Sequence, residues 1–277
     1  MVPALAEART CLFVPGNRPE RFEKAFGSGA DAVVFDLEDA VTPDAKGAAR
    51  DAIGRWCGQV DERARGRALV RVNEAGSRHF EEDLRLLRDA GLVQVMLAKA
   101  EAPEQILAVR SRVADAIVFA LVETARGVAG VDTLAHTPGV VRLVFGTLDY
   151  ALDLDLDIAD SPEGLAHAAA AIVLASRVAG LPPPVAGVTP QLDDESRLRA
   201  DWAWARRFGF GAKLCIHPKQ VRPLHAAMAP DLQAIDWARR VVSAEGESPG
   251  AAQLDGRMID RPVVLLAQRT LQRAFRS

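Results

Sequence analysis

Charged side chains that directly follow short apolar segments are the residues of this chain best placed to do chemistry. The segments have the length and the β-branched composition of buried strands, and the charges stand where those strands would end. An arginine that faces several carboxylates is typical of a site that binds an oxyacid together with a metal ion. The charged or polar residues at these ends are Asp36, Glu38, Asp39, Arg71, Asn73, Lys99, Glu123 and, just after the sixth segment, Asp149.

Two carboxylates on neighbouring segments indicate a magnesium site. Glu123 ends the fifth apolar segment, and Asp149 follows the sixth. Mg²⁺ prefers octahedral oxygen ligands and keeps several waters, so one or two protein carboxylates can hold it. No pair of histidines or cysteines has the spacing of a zinc site. The alternative is that the two acids pair with basic residues or cap helices.

Arg71 lies inside the apolar run Val70-Arg71-Val72-Asn73, where an arginine must have a partner. Its planar guanidinium suits a carboxylate or an enolate oxygen. The alternative is a permanent bridge to Asp36 or Glu38 inside the barrel. Both can hold, because a structural partner would also orient the guanidinium.

Three acids follow the second apolar segment within four residues. Asp36 and Glu38 share one strand face because side chains alternate with a period of two. Such a cluster repels itself unless a cation is near. For Asp39, capping of the following turn is favoured over catalysis.

Several basic residues have open interpretations. Lys99 could form a Schiff base, but a charge partner for the acids is favoured. His217 ends the eighth segment, and a catalytic base and a capping or core histidine are equally favoured interpretations. Arg18, Arg21 and Lys24 follow the first segment, where a phosphorylated ligand could bind, although charged first helices are usually only solvated.

The elements that would position these residues alternate regularly. An amphipathic helical stretch follows each apolar segment, which predicts eight βα units and therefore a (β/α)8 TIM barrel. The active site of such a barrel lies where the strands end. The predicted strands are Cys11–Pro15, Ala32–Leu37, Ala68–Asn73, Gln94–Lys99, Ile117–Glu123, Arg142–Thr147, Pro184–Thr189 and Ala212–His217.

The chain continues beyond the eighth unit. We predict a barrel over residues 1–230 and a C-terminal extension over 231–277 that consists of helices, a linker and a lid. The Gly-, Ser-, Ala- and Pro-containing stretch Glu245–Gly256 reads as a flexible linker, and Met258–Arg276 as a last helix. A helix tethered in this way should fold over a barrel mouth, its own or a neighbour's.

The composition is that of a globular protein. The chain has 277 residues, of which 49% are hydrophobic and 26% charged, and its net charge is −3. Without a basic stripe, nucleic-acid binding is not expected. No apolar run is long enough for a membrane span, and the N-terminus has no signal-peptide core. Three scattered cysteines favour a reducing, cytoplasmic location.

Taken together, the ordered strings resemble the citrate lyase β-subunit-like family of acyl-CoA lyases, close to citramalyl-CoA and malyl-CoA lyase-like proteins. The resemblance covers almost the whole chain. Single strings are weakly specific, but their order and their place at the barrel mouth are strongly specific. The strings are Leu12-Phe13-Val14-Pro15-Gly16-Asn17, Phe35-Asp36-Leu37-Glu38-Asp39-Ala40-Val41, Val70-Arg71-Val72-Asn73, Val122-Glu123-Thr124, Gly146-Thr147-Leu148-Asp149-Tyr150, Ser161-Pro162-Glu163-Gly164 and Asp255-Gly256-Arg257-Met258-Ile259-Asp260-Arg261-Pro262.

The resemblance implies Mg²⁺-dependent cleavage or formation of a C–C bond between an acyl-CoA enolate and a 2-keto acid. By motif match, Glu123 and Asp149 would be the metal ligands, and Arg71 would hold the keto-acid oxygens. Glu38 would contact the metal through water, and Asp36 of the same string is included among the catalytic residues.

The remaining roles implied by the resemblance concern CoA and the lid. Phe13, Arg18 and Arg21 fall where the family binds CoA. Asp260 matches an acid on a C-terminal lid that reaches a neighbouring subunit's site and would exchange a proton with the methyl carbon of acetyl-CoA. Homotrimers or hexamers are common in the family. Asp160 stands where the family often has an arginine, which puts the role of that arginine here in doubt.

The substrate is left open by these motifs. We favour citramalyl-CoA, which would give acetyl-CoA and pyruvate, over malyl-CoA and citryl-CoA. Further alternatives are a citrate lyase β subunit that acts on a carrier-bound thioester, a Schiff-base aldolase through Lys99, and a class II pyruvate aldolase. The last usually has a histidine after strand two, where this chain has Glu38-Asp39-Ala40-Val41.

Overall fold

A computed structural model describes residues 4–247 and 253–275 of the chain. Its parallel strands form a closed barrel in which each strand pairs with the next and the eighth pairs with the first. This arrangement confirms the predicted (β/α)8 barrel. The strands are β1 Thr10–Pro15, β2 Ala32–Asp36, β3 Ala68–Val72, β4 Gln94–Leu97, β5 Ile117–Val122, β6 Val140–Phe145, β7 Val185–Ala186 and β8 Ala212–Cys215.

Helices connect the successive strands, and within residues 4–222 the longer ones bury an apolar face against the barrel. Short 3₁₀ turns precede several of them, as at Pro43–Ala45 and Pro218–Gln220. The helices are α1 Phe22–Phe26, α2 Lys46–Cys57, α3 Glu62–Arg65, α4 Phe80–Ala90, α5 Pro103–Arg112, α6 Ala125–Ala129, α7 Val131–Ala135, α8 Thr147–Asp153, α9 Ala166–Val178, α10 Glu195–Phe208, α11 Val221–Met228, α12 Leu232–Glu247 and α13 Arg261–Phe275.

The strand pleat decides which charged residues reach the barrel mouth. Side chains alternate between the barrel interior and the layer beneath the helices. Val34 and Leu69 belong to the buried apolar cluster of the interior. Asp36 and Arg71 lie two positions further along the same strands and therefore point to the same side. Glu123 follows β5 with the same alternation.

Most strand boundaries agree with the prediction to within two residues, but β7 is shorter. It contains only Val185 and Ala186, whereas the sequence pattern predicts Pro184–Thr189. Its pairing with β6 uses the single pair Val144 and Val185. The prolines at 182–184 have no N–H to donate, which limits the hydrogen-bond ladder at the start of this strand.

The chain divides into two compact units, Met1–Arg222 and Pro223–Ser277. The division falls inside α11, earlier than the predicted boundary after residue 230. In the second unit, α12 and α13 pack against each other through a small apolar cluster. Its buried members are Ala238, Val241, Ile259 and Ala267.

A β-hairpin stands where the sequence pattern predicts part of a flexible linker. Gln253–Leu254 (β9) pairs antiparallel with Arg257–Met258 (β10). The connecting residues Asp255 and Gly256 have φ values of 50° and 75°. Positive φ at both central positions is the requirement of a type I′ hairpin turn, for which Asp-Gly is a favoured pair. The linker prediction is therefore wrong for residues 253–256, and residues 248–252 lie outside the described residues.

The last helix begins at Arg261 rather than at Met258, because Met258 belongs to β10. The predicted end of this helix, Arg276, lies outside the described residues. No helix within residues 4–247 and 253–275 is long and apolar enough to cross a bilayer.

Candidate active site

Arg71 and Asp36 form a two-pronged ion pair at the carboxyl ends of β2 and β3. The two residues are neighbours in the strand register. Nε of Arg71 donates to Oδ1 of Asp36 at 2.8 Å, and Nη2 donates to Oδ2 at 2.5 Å. Burial alone would lower the pKa of Arg71, but the carboxylates of Asp36 and Glu38 outweigh it and raise that pKa. The guanidinium is therefore a permanent, fixed cation.

Glu38 lies between two cations. Its Oε2 is 2.8 Å from Nη1 of Arg71, and its Oε1 accepts a hydrogen bond from Nζ of Lys99 at 3.0 Å. Burial raises the pKa of Glu38, and Arg71 opposes this shift. Burial would lower the pKa of Lys99, but its bond to Glu38 and the charge of that carboxylate raise it. Lys99 is thus a charge partner held protonated, which is unfavourable for a Schiff base.

Glu123 is the most perturbed acid of the site. It is 2% exposed, and Oε1 accepts from the backbone N–H of Lys99 at 2.8 Å. Burial, then the charges of Asp149 and Glu38, raise its pKa to about 8. A Cβ at Gly146 would collide with the Glu123 carboxylate, so the chain after β6 can pass this close only as glycine.

Asp149 lies in the first turn of α8, directly after β6. Burial and the charge of Asp39 raise its pKa, while Lys99 and Arg71 oppose the shift. Among the residues that the structure describes, no three His, Cys, Asp or Glu side chains converge as a ligand set. A metal here would rest on the two carboxylates of Glu123 and Asp149, with water and substrate oxygens completing its shell.

A buried polar network behind the acids fixes the loop that carries them. Nζ of Lys46 donates to the carbonyl oxygens of Leu37 and Glu38 at 2.7 and 3.0 Å and to Oδ1 of Asn73 at 2.8 Å. Asn73 in turn donates to Asp83 from its backbone and its side chain. The sequence analysis missed Lys46, because its main partners are backbone carbonyls that no residue pattern reveals.

The turn after β2 is capped by a different residue from the predicted one. Asp36, not Asp39, accepts from the backbone N–H groups of Glu38 and Ala40 at 2.8 and 3.2 Å. Asp39 is largely exposed, with Oδ2 4.0 Å from Nη1 of Arg71. The prediction for Asp39 is wrong because the buried carboxylate of Asp36, at the end of β2, accepts the hydrogen bonds of these turn amides instead.

The remaining predicted residues lie at different places. The Arg71 guanidinium lies over the ring of Phe13, 4.8 Å from its centroid. Arg18 and Arg21 are exposed after β1, and Nε of Arg18 donates to Glu20 at 2.6 Å. Nδ1 of His217 accepts from the backbone N–H of Lys219 at 3.1 Å, which agrees with a capping role for the histidine.

Asp260 is an exposed carboxylate in the second unit. Its Oδ1 accepts from the backbone N–H of Val263 at 3.1 Å, so it caps the N-terminus of α13. Its role in proton exchange stays a prediction.

A sequence model of the HpcH/HpaI aldolase/citrate lyase family matches residues 9–218. The chain is 32% identical over 270 residues to a (3S)-malyl-CoA thioesterase of Cereibacter sphaeroides, covering 96% of this chain and 94% of that protein. It is 34% identical over 268 residues to a citrate lyase subunit beta-like protein of Mycobacterium tuberculosis, covering 95% and 94%.

A solved structure shows the same fold in detail. Protein CitE of Mycobacterium tuberculosis, in complex with magnesium, acetoacetate and coenzyme A, superposes with a TM-score of 0.88. It is 33% identical in sequence, and the match covers 98% of this chain and 99% of that chain.

In the metal-free protein, Glu123 should destabilise the fold as the pH rises. Its folded-state pKa of about 8 lies above the ordinary value of 4.5. The stabilising contribution of the protonated form is therefore fully present below pH 4.5 and is lost as the pH rises through about 8. We expect Glu123→Gln to raise the Tm measured in EDTA at pH 9 by on the order of 5 °C, and to change it little at pH 5.

The matched control is Glu104→Gln, at an exposed position of α5. It should leave the Tm unchanged at both pH values. If Glu123→Gln gave no increase at pH 9, the assignment of a raised pKa to Glu123 would be wrong.

Proposed function

The chain belongs to the HpcH/HpaI aldolase/citrate lyase family of carbon–carbon lyases, and we propose that it cleaves a 3-hydroxy-3-carboxyacyl-CoA with Mg²⁺ as cofactor. The products would be acetyl-CoA and a 2-keto acid. The preferred substrate is citramalyl-CoA, with pyruvate as the keto acid. The observation that carries the proposal is the position of two acids at the barrel mouth. Glu123 follows β5, buried and bonded to the backbone N–H of Lys99, and Asp149 lies in the first turn of α8, directly after the neighbouring strand β6.

The charge balance of the barrel mouth fits a divalent cation. Arg71 and Lys99 pair with Asp36 and Glu38, which leaves Glu123 and Asp149 without an ion-pair partner among the described residues, and burial makes it costly to ionise both of them. With Mg²⁺ held by Glu123 and Asp149, the ion would supply Lewis-acid polarisation of the substrate's hydroxyl and carboxylate oxygens. The charged groups are the carboxylates Asp36, Glu38, Glu123 and Asp149 and the cations Arg71 and Lys99.

Arg71 would bind the carboxylate of the keto-acid part. Because Asp36 and Glu38 already hold its guanidinium, the side chain has little rotamer entropy left to lose when the substrate binds. Its remaining N–H donors would stabilise negative charge that develops on the keto-acid oxygen. Lys99 keeps Glu38 in place and contributes a second fixed positive charge.

The bond changes are those of a retro-Claisen cleavage. The C3 hydroxyl gives its proton to solvent water and becomes the keto group, and the C2–C3 bond breaks. The electron pair of that bond goes to the thioester enolate, which takes up one proton at C2 to become acetyl-CoA. We assign this last proton to the carboxyl group of Asp260, which is exposed and takes up a proton from water before and after each transfer.

Phe13, Arg18 and Arg21 are proposed to bind CoA. Both arginines are about half exposed after β1, where they can meet phosphate groups without a large desolvation cost. The pair between Arg18 and Glu20 is exposed and therefore weak enough for a phosphate to replace. Phe13 connects this region to the substrate because its ring lies under Arg71.

The preference among close substrate analogues depends on small differences in their structure. Citramalyl-CoA and malyl-CoA differ by one methyl group, which changes binding by only about 1–3 kcal/mol. Citryl-CoA and a carrier-bound thioester remain alternatives, as does a class II pyruvate aldolase. The similarity to a (3S)-malyl-CoA thioesterase supports hydrolysis of malyl-CoA as a second candidate function.

The second prediction concerns the products from a mixture of citramalyl-, malyl- and citryl-CoA. We expect acetyl-CoA with pyruvate from citramalyl-CoA, detected by mass spectrometry, in Mg²⁺ but not in EDTA. Acetyl-CoA with glyoxylate would identify malyl-CoA as the substrate. Malate with free CoA would identify a thioesterase, and no product from any of the three would overturn the acyl-CoA assignment.

The third prediction tests the metal ligands. Asp149→Asn and Glu123→Gln should each lower kcat by at least about 100-fold, because each removes a charged ligand. Isothermal titration should show weaker Mg²⁺ binding. The matched control is Asp155→Asn, an exposed aspartate with φ of 54°, a conformation that asparagine also tolerates. Near-wild-type turnover of Asp149→Asn would show that Asp149 is not a ligand.

The fourth prediction concerns Asp260 and the proposed homotrimer or hexamer. Asp260→Ala should abolish deuterium exchange into the methyl group of acetyl-CoA. If Asp260 serves a neighbouring subunit's site, co-expression of Asp260→Ala with Glu123→Gln in one oligomer should restore activity that neither variant has alone. Retained deuterium exchange in Asp260→Ala would exclude the proton role, and a monomer in light scattering would exclude the shared site.

A further inference from the structure

A cavity of about 390 Å³ lies on the outer side of the barrel wall, between β6, β7, β8 and α10. Its strand residues face away from the barrel interior because side chains alternate along each strand, and Val188, after β7, borders both the cavity and the interior cluster. The interior cluster contains Val144, Val185 and Ala212, whereas the next residue of each strand lines the cavity. Those lining residues are Phe145, Ala186 and Lys213.

The walls of this cavity are mainly apolar. The two-residue strand β7 ends at Ala186, whose small side chain leaves volume beside the wall. Trp204 and Phe210 provide flat aromatic surfaces, and Leu165 and Ile158 close other sides. A volume of this size lies within the range of small-molecule sites.

Two of the charged groups in the lining neutralise each other. Nε of Arg197 donates to Oδ1 of Asp201 at 2.7 Å, and Oδ2 of Asp201 accepts from Thr189 at 2.7 Å. Arg197 also donates to the carbonyl oxygen of Ala159 at 2.9 Å. A third group, Asp157, is exposed to solvent. None of the three therefore needs a ligand.

Lys213 differs from these groups. It is only 2% exposed, and its Nζ donates to the carbonyl oxygen of Gly187 at 2.6 Å. Within residues 4–247 and 253–275, no carboxylate lies within ion-pair distance of this amine. Burial lowers the pKa of Lys213 to about 8, a shift that the more distant Asp201 opposes. An ammonium has three N–H donors, so two are left without a fixed acceptor.

We propose that this cavity is a second ligand site, which binds a small monocarboxylate with an apolar body and places the carboxylate on Lys213. The carboxylate supplies the missing counter-charge and accepts the free N–H groups, while the apolar walls enclose the body of the ligand. A single negative charge is required, because one unpaired cation in an apolar cavity cannot balance a dianion such as phosphate.

The site goes beyond the proposed lyase function and does not use its residues. Arg71, Glu123 and Asp149 do not line the cavity. Binding can therefore be measured without Mg²⁺ or CoA, and its failure would leave the lyase assignment untouched.

The experiment uses benzoate as the probe and titrates it into the full chain by calorimetry, with benzyl alcohol as the neutral analogue. We expect one benzoate per chain. Lys213→Met, which keeps the length of the side chain without its charge, should weaken benzoate binding by about tenfold or more and leave benzyl alcohol unaffected. The matched control is Lys219→Met, which removes an exposed lysine that pairs with Asp193.

A second variant and a crystal structure keep the test decisive. Ala186→Leu retains Lys213 but fills part of the cavity, and it should also reduce benzoate binding while circular dichroism shows an intact fold. In crystals soaked with 4-bromobenzoate, the bromine anomalous peak should lie beside Trp204. Equal benzoate affinity in wild type and Lys213→Met, no saturable binding to wild type, or a bromine peak only in the barrel mouth would each overturn the proposal.

Discussion

The barrel mouth depends on the two-pronged pairing of Arg71 with Asp36. This pair joins the ends of two neighbouring strands, and both partners are nearly removed from water. Loss of either partner would leave a buried charge without compensation, which typically costs about 3–5 kcal/mol. Asp36 also accepts the two backbone N–H groups of the following turn, so the same carboxylate places Glu38. The pair therefore orients the guanidinium and positions the next acid.

A series of ion pairs and hydrogen bonds connects this pair to the other acids of the barrel mouth. Arg71 and Lys99 take opposite oxygens of Glu38, and the backbone N–H of Lys99 takes one oxygen of Glu123. Lys99 can do this because its φ of 47° turns the backbone at the end of β4. A non-glycine residue in this conformation is uncommon and is held here by the bonds on either side of it. The strain and the ion pair thus support the same arrangement of acids.

The sequence identifies the charged residues of the barrel mouth better than the buried lysines that bond to backbone carbonyls. The period of two and the strand ends predict that Asp36, Arg71 and Glu123 share one side of the barrel, because the pleat alone decides it. Lys46 and Lys213 could not be found in this way, since both bond to backbone carbonyls that are distant or featureless in the sequence. The pair Asp255-Gly256 is typical of a hairpin turn, but the Gly-, Ser-, Ala- and Pro-containing composition around it is also typical of a linker.

Two lysines show why burial alone does not decide reactivity. Lys99 is the less buried, yet its pKa is raised, because Glu38 supplies a carboxylate at hydrogen-bond distance. Lys213 is enclosed and has only a carbonyl oxygen as its bonded partner, so its pKa falls. A lysine nucleophile needs a neutral amine at working pH, a condition that Lys99 does not meet. Lys99 therefore fits a fixed positive charge beside Glu38, and its raised pKa does not favour the Schiff-base alternative.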